Sequence, residues 1–141
     1  MPHLVILYTP QLDTETDLDA LCRKLCDRML GSVDEDGRQV FPTGGTRVLA
    51  YPAAHHAVAD DGTAGRAAGG SGDYAFMWLN LRMGRGRSAA VHRAVGEALL
   101  QCTQEHLAPV FAKRHIGVTI QIDEGSEVFN ARHSNLHPLF A

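Results

Sequence analysis

Two stretches of this chain repeat one pattern, and that repeat limits the folds open to it. HLVILY, from His3 to Tyr8, is a short apolar run of strand formers, read as a strand buried on both faces. Leu18, Leu21, Cys22, Leu25 and Met29 follow at helical spacing, and Arg47 to Tyr51 reads as a second strand. Farther on, Tyr74 to Met83 is a strand and Val91, Ala94, Val95, Ala98, Leu99 and Cys102 form a helical stripe. IGVTIQI then alternates from Ile116 to Ile122 as a half-buried strand. Each unit reads strand–helix–strand, and such a helix is a right-handed crossover between parallel strands. The pattern predicts an α/β (α+β) fold in which two β-α-β units share a four-stranded sheet, with both helices on one face. The other face, carrying Phe76 and Trp78, would be bare in a monomer, which predicts an oligomer that covers it.

Local signals mark the boundaries. Thr16, three positions before Asp19, is the expected cap of the first helix, and Gly31 falls just past its end. SVDEDGRQ reads as a loop. Ser88 is placed to cap the second helix, and Pro109 marks a break close to its end. PAAHHAVADDGTAGRAAGGSG is rich in Gly and Ala, lacks periodicity and reads as a flexible insertion. The 141 residues then make one domain, with units at about 1–53 and 73–124 and a linker at about 54–72. The tail has no strong periodicity but offers apolar anchors at Phe129, Leu136 and Leu139.

Composition excludes several function classes. A net charge of −3 lacks the basic excess of a nucleic-acid or anionic-membrane surface, so any anionic ligand must be met by a few local arginines. No segment is apolar for long enough to span a bilayer, and HLVILY is too short for a signal-peptide core. Cys22, Cys26 and Cys102 have no framework spacing and read as small core residues of a cytoplasmic protein. His55 and His56, near Asp60 and Asp61, match no zinc spacing; they read as solvated, and His92 and His106 as surface groups of the second helix. No metal or cofactor is expected.

Three residues carry candidate chemistry. Pro2 stands directly before the first strand. Inside a chain its nitrogen is an inert amide. If Met1 is removed it becomes a secondary amine, with an ordinary terminal pKa of about 8 that burial and nearby arginines would lower. Such a group is a useful general base at neutral pH. GGTR puts Arg47 at the start of the second strand, and GRGRS puts Arg87 beside the start of the second helix, where the macrodipole disfavours a cation. An anionic ligand would account for Arg87, with backbone N–H groups of the helix start assisting.

These residues sit within longer motifs: MPHLVI, FPTGGTR, DYAFMWLNLRMGRGRS, EALLQCTQEHLAPVF and a tail with SNLH. In that order, over nearly the whole chain, they resemble the 5-carboxymethyl-2-hydroxymuconate isomerases of the tautomerase superfamily. The resemblance implies a homotrimer and loss of the initiator methionine, with Pro2 as general base and acid and Arg47 and Arg87 binding an anionic small molecule. The implied reaction is a cofactor-free conversion of a polycarboxylated 2-hydroxydienoate to its 2-oxo isomer, in catabolism of an aromatic acid. Two other readings fit the same fold: a promiscuous tautomerase with another enol substrate, and a non-catalytic trimeric binding protein. Against the family pattern, residues 54–72 and SVDEDGRQ are extended, and GRGRS carries the additional Arg85.

Overall fold

The computed structural model describes residues 1–140. The elements run β1 (His3–Tyr8), α1 (Leu12–Glu15), α2 (Leu18–Leu30), β2 (Arg47–Pro52), α3 (Thr63–Ala67), β3 (Ala75–Gly84), α4 (Ala89–Phe111) and β4 (Ile116–Gly125). They form one four-stranded sheet in the order β2-β1-β3-β4. β1 is parallel to β2 and β3 to β4, as two crossover units require, while β1 and β3 meet antiparallel in the middle.

Period-two alternation puts Leu4, Ile6, Met77, Leu79 and Leu81 on the inner face. There they share one core with Leu21, Leu25 and Met29 of α2 and Val91, Val95, Leu99 and Leu107 of α4. Full burial of each large aliphatic side chain contributes roughly 1.5–3 kcal/mol relative to exposure, so this face carries the fold. β1 is not buried on both faces. Leu7 is 39% exposed, beside Tyr51 at 49% and near Leu49 at 42%. Trp78 pairs with Leu7 on the same outer face, where its indole N–H donates to Gln121 Oε1 at 2.7 Å. Gly117 leaves room there for the Phe76 ring, which would lie 3.3 Å from a Cβ at that position.

Several local expectations are corrected. Asp17, not Thr16, caps α2, accepting from the Ala20 N–H at 2.9 Å, because Thr16 closes the short helix α1. Ser88 does cap α4, through the Val91 N–H. Pro109 does not end that helix, which runs to Phe111; Pro109 is exposed, so water can serve the carbonyl that it leaves unpaired. β4 extends three residues beyond Ile122. His106 is half-buried and ties helices together: its Nε2 lies 2.9 Å from both Asp17 O and Thr16 Oγ1, and Lys24 Nζ lies 3.1 Å from Nδ1. Burial, then the Lys24 charge, lowers its pKa. His92 is also half-buried, 3.0 Å from the Glu124 carboxylate. The tail residues Phe129, Leu136 and Leu139 do not anchor within this chain, being 85%, 50% and 72% exposed.

The stretch read as a flexible insertion carries local structure. Asp60 accepts from the N–H groups of Gly62 and Ala64 at the start of α3, and the Tyr74 hydroxyl accepts from Gly65 N–H at 2.8 Å. Gly62, at φ +84°, approaches Gly72 so closely that a Cβ would fall 2.0 Å from the Gly72 carbonyl oxygen.

Arg114 clamps this segment to the first unit. Its Nη1 and Nη2 donate to Asp73 O and Asp73 Oδ2, both at 2.6 Å, and its Nε lies 2.8 Å from Glu15 Oε2. The arginine side chain is 10% exposed, but its acidic partners remain solvated, so screening moderates each pair. Arg114→Ala is expected to cost about 1–3 kcal/mol, read as a lower urea midpoint at fixed protein concentration. An unchanged midpoint would show that the clamp contributes nothing.

Candidate active site

The antiparallel β1–β3 pairing assembles the site. β1 and β2 start at one end of the sheet, where His3 pairs with Arg47; β3 finishes there, with His3 opposite Arg82. The turn after β3 carries Arg85 and Arg87. Pro2, Arg47 and Arg87 therefore belong to one end of the sheet, although 85 positions separate the first from the last.

Pro2 is buried and Met1 half-buried, and with Met1 attached the Pro2 nitrogen is an amide. The Met1 sulfur lies 3.6 Å from Arg47 Nη1, which also donates to Gly45 O at 3.2 Å. A thioether is a weak acceptor for a guanidinium, so a carboxylate in its place would bind far better. Gly45 is buried between these groups; a Cβ there would lie 3.7 Å from Met1 Sδ and 3.8 Å from His137 Nε2.

Arg87 has a structural use that the sequence did not reveal. Nη1 donates to Gly84 O at 3.3 Å and Nη2 to Val40 O at 2.9 Å, bracing the end of β3 against the segment that leads to β2. Two of its five donors are occupied, which leaves three for a ligand. The start of α4 is already served, because the Ser88 hydroxyl caps Val91 N–H and bonds the Glu35 carboxylate. That bond holds the Glu35 carboxyl below its usual range. Glu35 comes from SVDEDGRQ, which folds into a small hairpin: Asp34 Oδ1 accepts from the Asp36 and Arg38 N–H groups, and Val33 pairs with Gln39.

Sequence reasoning missed the tail. A short 3-10 turn, His137–Phe140, rests on the 3-10 turn Thr43–Gly45 before Arg47; a Cβ on Gly44 would sit 3.3 Å from the His137 backbone and 3.1 Å from the Phe140 ring. The stretch SNLH ends in His137, whose position beside Gly45 depends on tertiary folding.

The charge at this end is lopsided. Among the described residues, Arg23, Arg28, Arg38, Arg93 and Arg114 form ion pairs with carboxylates. Arg47, Arg66, Arg82, Arg85, Arg87 and Arg132 form none, and all of these but Arg66, which lies in α3, belong to this end or to the tail that rests on it. His3 registers the result: burial first, then the Arg47 charge, lowers its pKa, with Glu127 acting the other way. An acidic protein has thus placed several unpaired cations at the sheet end that carries Pro2, alongside Glu35 and Glu127, an arrangement that can meet an anionic ligand. No group of three or more His, Cys, Asp or Glu side chains among the described residues is arranged to hold a metal ion. His55 and His56 are exposed.

The sequence matches the model of the 5-carboxymethyl-2-hydroxymuconate isomerase family over residues 2–140. The chain belongs to this family. A crystal structure of a 5-carboxymethyl-2-hydroxymuconate delta-isomerase is 60% identical, with TM-score 0.97 over 100% of this chain and 93% of the other. An isomerase from Deinococcus radiodurans R1 is 32% identical, with TM-score 0.80 over 99% and 94% of the two chains. The 5-carboxymethyl-2-hydroxymuconate Delta-isomerase of Escherichia coli is 26% identical over 140 residues, 99% of each chain. A fused 4-OT protein, described as an asymmetric trimer, shares the fold at 14% identity and TM-score 0.55, over 97% of this chain and 98% of the other. The family match begins at residue 2, so the Pro2 end of the sheet lies within the matched region.

Proposed function

We propose that this chain, after loss of Met1, isomerises 5-carboxymethyl-2-hydroxymuconate or a close polycarboxylated 2-hydroxydienoate. The observation that carries the reading is the gathering of Pro2 and unpaired arginines at one sheet end, in a member of this isomerase family. The neutral Pro2 nitrogen takes the proton of the 2-hydroxyl. As that O–H bond breaks, C2=O forms, the C2=C3 double bond moves to C3=C4, and the C4=C5 pair takes a proton at C5 from the protonated proline. The net change moves one proton and consumes no co-reactant. Arg47 and Arg87 hold carboxylates or the developing dienolate, a charge that fixed donors stabilise without reorganising. Burial of Pro2 and the arginines beside it favour the neutral amine, so one group serves as base and then as acid.

The working unit in this reading is a homotrimer. Leu7, Leu49 and Tyr51, together with the half-buried Trp78, form an apolar patch on the outer sheet face beside the polar Asn80 and Gln121, and a neighbouring copy would cover it. No helix among the described residues is long and apolar enough to cross a membrane. A cytoplasmic setting suits the three free cysteines.

Met1-free protein is expected to turn over 5-carboxymethyl-2-hydroxymuconate much faster than the enol of phenylpyruvate, measured as kcat/KM. The reverse ranking would identify a broader tautomerase. Light scattering is expected to give three times the chain mass, and a monomer mass would remove the argument from the sheet face.

A further inference from the structure

The proposed substrate carries three carboxylates, and the two arginines placed so far leave one of them without a partner. We propose that Arg132, held by His137 on the C-terminal turn, supplies the third cation and selects tricarboxylates over dicarboxylates. This rests on the substrate reading above and adds a specificity residue to it.

Ser134, His137 and Arg132 form a short hydrogen-bonded chain in the tail. Ser134 Oγ accepts from Leu136 N–H at 3.1 Å and lies 3.0 Å from His137 Nδ1. With Nδ1–H donating to that oxygen, Nε2 keeps its lone pair and accepts from Arg132 Nη1 at 3.3 Å. The imidazole is half-buried against Gly45, and a Cβ there would meet both its Nε2 and the Met1 sulfur that contacts Arg47. Arg132 is thus one hydrogen bond from a ring that packs against Gly45, the residue whose carbonyl Arg47 engages, and loss of Met1 would remove the sulfur that packs on that same glycine. Arg132 pairs with no carboxylate among the described residues, and only one of its five donors is engaged.

The competing cations are less suited. Arg85 and Arg132 are both exposed, but Arg85 forms no hydrogen bond among the described residues that would orient it. Arg82 reaches toward β4, at the opposite edge of the sheet from β2 and Arg47, where its Nε would lie 3.1 Å from a Cβ on Gly125. Arg132 alone among the three is oriented by a side chain that itself packs beside Gly45.

The test compares kcat/KM for 5-carboxymethyl-2-hydroxymuconate and for 2-hydroxymuconate, which lacks the carboxymethyl arm, using Met1-free full-length protein. Arg132→Gln is expected to lower the tricarboxylate-to-dicarboxylate ratio by roughly 10- to 100-fold, mainly through KM, as loss of one charged hydrogen-bond partner predicts. Arg132→Lys should recover part of the ratio, and His137→Gln should lower it less than Arg132→Gln does. A ratio that stays constant in Arg132→Gln, whether both activities fall together or neither falls, overturns the proposal. If the parent protein turns over neither substrate, the substrate reading fails by itself. The inference is then read from binding of tricarballylate against glutarate by calorimetry. A preference for tricarballylate that disappears in Arg132→Gln supports it, and no such preference refutes it.

Discussion

Protein that retains Met1 is expected to have no isomerase activity above the uncatalysed rate, whatever its folding. The Pro2 nitrogen in that form is an amide with no lone pair available to a proton, and the Met1 sulfur sits on Arg47. Removal of one residue therefore changes two things together: it creates the base and it frees a cation. General acid–base catalysis by a placed group contributes roughly 10²–10⁴-fold, and the gap between Met1-retaining and Met1-free samples is expected to be at least that large. Intact mass identifies the two forms, and initial rates on the same preparations give the gap. Pro2→Ala with Met1 removed offers a primary amine at the same strand end, so its rate is expected between the two. Full activity in verified Met1-retaining protein would show that the chemistry lies elsewhere.

Arg87→Ala is expected to be the most damaging side-chain truncation near the site, lowering kcat/KM by roughly 10²–10³-fold. The side chain has two uses, and both are lost. Its free donors are proposed for the substrate anion, while Nη1 and Nη2 brace Gly84 O and Val40 O. Loss of the brace should also reduce stability by about 1–2 kcal/mol, seen as a lower urea midpoint. Arg87→Lys separates the uses, since an ammonium restores charge but cannot span two carbonyls with a planar fork. It should recover part of the activity and little of the stability. Equal kinetics for Ala and Arg at this position would end its role in binding.

Much of this was legible along the chain. Periodicity located β1, α2, β2, β3, α4 and β4 to within a few residues, because burying one face imposes a spacing on each element separately. Parallel pairing within each unit followed from the connecting helices. The misplaced cap shows the limit of such signals. Thr16 has the right chemistry, but the short helix before it takes Thr16 as its own end and leaves Asp17 to cap α2. His106 read as a surface group for a similar reason. Its partners Thr16, Asp17 and Lys24 lie more than eighty positions away, and no local pattern records them.

The sequence by itself determined the residue chemistry: a proline behind the first methionine, arginines in two glycine turns, and a sheet face too apolar to leave in water. Only the tertiary structure decided which of these meet. The antiparallel junction of β1 and β3 put Pro2 and the GRGRS turn at the same end; a parallel junction would have sent them to opposite ends. Folding of SVDEDGRQ gave Ser88 its partner Glu35, and the neighbouring Val40 carbonyl engaged Arg87. Packing of the last turn on Gly44 and Gly45 brought His137, and the Arg132 that it bonds, to the turn before Arg47. Spacing along a chain encodes the face of one element, whereas a site made from separate elements exists only once the core has chosen their order and direction.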